Sequence, residues 1–146
     1  MGRWLAVLGR RPPHGEHSIL DEYRRDILGE ITPHPLIHAF EHIPKDLREQ
    51  FPMLKRIRLR SDAYVEECLL LSPEEVRQLE EEYYRLRQLA RGEETLYFSG
   101  RRFDPELFMT RWRGRWSAEE TEDHLRSIDA LLQKAVCEHA WILISL

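Results

Sequence analysis

His38, Glu41 and His42 stand in the order H-x-x-E-H. On a helix, residues four apart share one face, so the two imidazoles can converge on a zinc ion while Glu41 reaches a water bound to it and acts as base. A catalytic zinc takes a third protein ligand. Glu119, Glu120, His34 and His139 are available, and no spacing singles one out. The competing expectation is bland: His38, Glu41, His42 and Lys45 fall opposite the apolar stripe of Leu36, Ile37, Phe40 and Ile43, where a helix ordinarily meets water.

Two other sets of residues carry charge in a suggestive pattern. Arg111, Arg113 and Arg115 interleave with Trp112 and Trp116, the ingredients of a surface that tracks phosphates and stacks bases. The same residues also suit cations at a helix C-terminus with their tryptophans in the core. Glu75, Glu80, Glu81 and Glu82 gather on one predicted helix and offer negative charge to a basic protein partner. Their structural alternative is a capping glutamate followed by a solvated acidic face.

The pattern from His38 to His42 resembles the motif of the inverted zincin peptidases. The resemblance covers five residues and implies a zinc-dependent hydrolase, with Glu41 as base, His38 and His42 as ligands, and zinc as the one cofactor to expect. Other chemistries find no footing. The acidic pairs at 66–67, 74–75, 93–94 and 119–120 are consecutive, so their members diverge instead of forming a two-carboxylate active site. Neither a G-x-S-x-G elbow, a P-loop nor a G-x-G-x-x-G turn occurs.

The elements that must position these residues follow from period and punctuation. Arg3 to Leu8 and Ala140 to Ser145 read as buried strands. Ser18 is placed to cap a helix with Ile19, Tyr23 and Ile27 inward and Gly29 as its stop. Pro44 to Phe51 suggests a short helix ended by Pro52. Lys55 to Arg60 alternates basic and apolar residues, and with Ala63 to Leu71 it predicts an antiparallel strand pair.

Ser72-Pro73-Glu74-Glu75 is a capping box opening a helix that buries Val76, Leu79, Tyr83, Leu86 and Ala90 and stops at Gly92. A small hairpin over 95–103 precedes a brief helix from Asp104-Pro105 through Leu107, Phe108 and Trp112. A second box at Ser117 opens a helix with Leu125, Ile128, Leu132 and Ala135 on one side. The sum is an α+β domain spanning residues 1–146, with one mixed or antiparallel sheet, its N- and C-terminal strands central, under about five or six helices.

Bulk properties narrow the function. The 146 residues carry a net charge of -4. Residues 1–60 hold 11 basic and 8 acidic side chains, leaving 11 and 18 for the remainder. An acidic back half weakens the electrostatic footprint that nucleic-acid binding needs. The apolar run from Trp4 to Leu8 is too short for a secretory or membrane segment, and Cys68 and Cys137, each beside apolar residues, suit buried reduced thiols. The expectation is a cytoplasmic, bacterial protein-binding or regulatory module, such as a toxin-neutralising immunity protein, with the balance of the residues leaning against an enzyme while leaving that question open. A zinc hydrolase and a nucleic-acid binder stand as alternatives, and no membrane partner is expected.

Overall fold

A computed structural model describes residues 3–32, 43, 45–61, 68–92, 97–98, 101–102 and 104–145. Among them, strands β1 (Leu5–Leu8), β2 (Ile27–Ile31), β3 (Cys68–Leu71) and β6 (Trp141–Ser145) form an antiparallel sheet in the order β2-β1-β6-β3. The two apolar terminal strands are therefore central, because only interior strands can bury both faces. Leu5 pairs with Ile144 and Leu8 with Trp141, while Leu69 meets Ile144 from the other side. A separate short hairpin joins β4 (Tyr97–Phe98) and β5 (Arg101–Arg102).

Alternation divides the sheet residues between two layers. Leu5, Val7, Leu69, Leu71, Ile142 and Ile144 point into the main core, which is closed by α2 (Pro52–Ser61), α3 (Pro73–Arg91), α4 (Pro105–Arg113) and α5 (Ala118–Cys137). Ala6, Leu8 and Leu143 point the other way and are buried with Tyr23. Among the described residues the cover here is thin: 3-10 turns at Gly15–His17 and Arg24–Asp26 flank the single helical turn α1 (Leu20–Tyr23).

The long helices begin and end as their local chemistry dictates. Ser72 Oγ accepts the Glu75 amide at 3.4 Å and Glu75 accepts the Ser72 amide at 3.0 Å. Pro73 follows at the first turn, and Gly92 closes the helix at φ 70, a conformation glycine adopts without steric cost. Asp104 and Ser117 cap α4 and α5 by accepting the Leu107 and Glu120 amides at 3.2 and 3.0 Å. Among the described residues, no helix is long and apolar enough to cross a membrane.

Three expectations are overturned. The helix predicted from Ser18 to Gly29 is only one turn of α1, and the chain then becomes β2. Pairing of Ile27–Ile31 with β1 outweighs the four-residue period of Ile19, Tyr23 and Ile27, and Ile19 ends 61% exposed. Ser18 Oγ instead accepts the His14 amide at 2.8 Å. Gly29 serves close packing: a Cβ there would stand 2.6 Å from Leu131 Cδ1 of α5.

The strand predicted over Lys55 to Arg60 lies in α2, so it has no antiparallel pairing with the β3 region, and β3 pairs with β6. Met53, Leu54 and Ile57 are buried at helical spacing, and Pro52 opens this helix while the preceding 3-10 segment ends at Gln50. Cysteine placement differs too: Cys68 is half-buried and Cys137 exposed. On α4, Leu107 is also exposed, whereas Phe108 and Trp112 pack inward.

Candidate partner-binding cleft

Helix α3 packs its apolar stripe against α5, bringing Val76, Leu79, Tyr83 and Leu86 into one core with Leu125, Ile128 and Leu132. Two charged residues fall in line with that stripe and are buried with it. Arg87 lies one turn beyond Tyr83 and is 4% exposed; Glu82 is 6% exposed. A buried charge needs partners, and each finds them on another element.

Glu82 reaches the start of α2. Its Oε2 accepts the Met53 amide at 2.9 Å, and its Oε1 accepts the Leu54 amide at 3.0 Å. These are N–H groups that the first turn of a helix leaves without internal acceptors, so Glu82 caps a helix distant in sequence. Burial nevertheless pushes its carboxyl above the usual range, opposed by those amides.

Arg87 reaches α5. Its Nη2 donates to Glu122 Oε1 at 3.2 Å and to Asp129 Oδ2 at 3.3 Å, while Nε–H is buried with no hydrogen-bond acceptor. Burial alone would lower the guanidinium's proton affinity, but the Glu122 bond and the Tyr83 and Asp129 fields raise it. The Arg87 bond also holds Glu122 below the ordinary carboxylate range. Beside this network Tyr83 donates to the Leu125 carbonyl at 3.3 Å. Burial, followed by the Asp129 charge, pushes its phenol upward.

Above the network a cleft of about 180 Å³ opens between α3 and α5. Glu80, Tyr83, Tyr84 and Arg87 form one wall, and Asp129 and Leu132 the other. Tyr84 is 61% exposed at this cleft, one of the few large apolar side chains so placed among the described residues. The two helices together carry ten acidic and six basic side chains, so the surroundings favour a cation while the floor is locally balanced.

The structure separates the four glutamates expected to meet a partner. Glu81 is exposed and Glu80 lines the cleft. Glu75 completes the Ser72 cap and pairs with Arg56; burial opposes its ionisation, but the Ser72 and Arg56 bonds prevail and lower its pKa. Glu82 is corrected from solvated to buried, because α2 supplies it with backbone donors.

The other candidates do not meet this cleft. Arg111 and Arg115 are exposed and Arg113 half-buried, on or just after α4. Trp112 is held in the core 5.6 Å from Phe108 by ring centroids, and Trp116 packs edge-on against His124 at 4.8 Å. His38, Glu41 and His42 lie outside the described residues. Among those that are described, no group of three His, Cys, Asp or Glu side chains is placed to hold a metal.

Tyr84, Arg87 and Asp129 were not singled out by sequence reasoning. Arg87 did carry a signal, since it follows Leu79 and Tyr83 at four-residue steps and a charge in an apolar register demands a partner. No protein-family model, curated protein or solved structure matches the chain.

Proposed function

We propose that this chain is a protein-binding module that docks a basic partner on the α3–α5 face, a bacterial immunity protein acting in the cytoplasm being the concrete instance. The observation that carries the reading is Tyr84, 61% exposed beside a cleft walled by Glu80 and Asp129. Tyrosine is enriched at interfaces and among the residues that dominate binding. Carboxylates around such an anchor speed encounter with a cationic surface and select against acidic ones. Glu81 is exposed on the same helix, whereas Glu75 and Glu82 are engaged in capping contacts.

The partner to test is the product of the adjacent gene, titrated calorimetrically against the wild type, Tyr84→Ala and a Glu80→Lys/Glu81→Lys double variant. Binding that falls at least tenfold in each variant, with unchanged melting, supports the reading. Equal affinity in all three places the partner elsewhere. Hydrolysis by the isolated chain that stops on chelation would favour the zinc reading of His38, Glu41 and His42 instead.

A further inference from the structure

The charges lining the α3–α5 cleft are unevenly matched along its length. Arg87 Nη2 donates to Glu122 and Asp129, Arg126 Nε stands 3.5 Å from Glu122, and Glu122 also lies in the field of Arg91. Positive and negative groups are therefore paired at that end. Glu80 differs: among the described residues its half-buried carboxylate makes no hydrogen bond or ion pair. It stands seven positions before Arg87 and eleven before Arg91, about 10 and 16 Å along the helix axis. A cation at Glu80 meets an uncompensated carboxylate and lies well away from both guanidinium groups.

The groups around Glu80 select the kind of cation. Tyr84, one turn on and on the same side of α3, offers an exposed ring. Leu132 contributes apolar lining. Gln133, exposed on α5 and without a hydrogen bond among the described residues, adds an amide oxygen on the facing wall. A lysine ammonium is a compact point charge. An arginine guanidinium is planar, stacks on aromatic faces, and carries five donors in a fork that serves acceptors on two walls at once. The volume of about 180 Å³ suits one long side chain and falls below the range of drug-sized pockets.

We infer that the Glu80 end of the cleft receives a single arginine side chain of a protein partner, its guanidinium bonded to Glu80, stacked on Tyr84 and reaching Gln133. This rests on the α3–α5 face being the docking site and names the residue type that the site reads. Glu80 supplies the charge, Tyr84 the preference for a flat cation, and Gln133 the second acceptor.

The test follows the Tyr84 ring and Gln133 side-chain amide resonances of the full chain by NMR at constant ionic strength. Three probes are added: acetyl-Gly-Arg-Gly-amide, the same peptide with lysine, and the same peptide with citrulline, which keeps the shape of arginine without its charge. The expected result is a saturable shift of both groups with the arginine peptide, half-complete at roughly 1–10 mM, at least about threefold weaker with lysine and absent with citrulline. Glu80→Gln should weaken the arginine response at least about tenfold. Glu74→Gln, the same charge change on the first turn of α3, should leave it within about twofold. Equal responses to the arginine and lysine peptides, both lost in Glu80→Gln, overturn the arginine inference and keep the face as a dock for cations. An arginine response that survives Glu80→Gln, or a citrulline response equal to it, overturns the inference. No shift at residues 80–84 or 129–133 with any peptide overturns it too, and with equal partner affinity in the Tyr84→Ala chain it removes the docking face as well.

Discussion

The two faces of the sheet are built to different standards. On one, Leu5, Val7, Leu71, Ile142 and Ile144 lie under α2, α3 and α5 in a continuous core. On the other, the buried cluster comprises Ala6, Leu8, Tyr23 and Leu143, with Trp4, Leu70 and Trp141 only partly covered. Around that small apolar cluster the thin face carries exposed polar contacts among the described residues. Arg10 pairs with Asp26 at 3.0 Å, His14 pairs with Glu22, and the Arg11 guanidinium stands 6.0 Å from the Trp141 ring centroid. Exposed pairs contribute little, whereas apolar burial contributes about 25 cal/mol per Å². The helical face is therefore expected to carry most of the stability, and the thin face to open first.

The sharpest test of that contrast is a matched pair of truncations. Leu79 and Leu143 are both fully buried, one on each side. Leu79→Ala should cost about 3–5 kcal/mol in urea denaturation, and Leu143→Ala about 2–3 kcal/mol, because the short turns over it can collapse into the space. Equal losses would break the comparison.

Next in size is the Glu82 cap. Glu82→Ala strands the Met53 and Leu54 amides and should cost roughly 1–3 kcal/mol, with faster amide exchange concentrated in α2. Its pH dependence has a definite sign. Burial raises the folded pKa above the ordinary 4.5, so this group's contribution is fullest below 4.5 and declines as pH rises through the folded value. Glu82→Gln should therefore gain on the wild type as pH rises from 4 to 7 in about unit steps. Glu122 and Glu75 act oppositely: their lowered pKa values give stability present above 4.5 and lost as pH falls through the folded values. A stability difference between Glu82→Gln and wild type that does not vary with pH would remove the assigned role of burial.

Smaller effects separate local from tertiary devices. Ser72→Ala should cost about 1 kcal/mol through loss of the α3 cap, measurable by thermal melting. Arg11→Ala should cost at most about 1 kcal/mol and act locally, speeding hydrogen exchange over residues 15–26 without altering exchange in α3. Protection lost equally in both regions would show that the two faces unfold together.

Much of the scaffold was legible before the structure. The caps at Ser72, Asp104 and Ser117, the stop at Gly92, and the apolar termini are local signals, and each appears where expected. One residue lining the candidate cleft, Glu80, was among the glutamates that the sequence offered to a partner. Tyr84 gave no periodic signal, and the significance of Arg87 depended on which residues α5 would bring beneath it. Glu82 was misread because a solvated glutamate and a cap for another helix are identical in sequence.

The sequence by itself determined the α+β class, the extent of α3, the start of α5 and the central place of the terminal strands, because capping and hydrophobic period act over a few residues. Tertiary structure alone decided that Ile27–Ile31 is a strand, that Lys55 to Arg60 is helical, and that Glu80, Tyr84, Arg87 and Asp129 share one cleft. Each of those outcomes turned on partners far along the chain. β1 supplied hydrogen bonds to one segment, Glu82 capped another across 28 residues, and α5 brought its carboxylates to Arg87. Where local preference was ambiguous, the distant partner provided the deciding free energy.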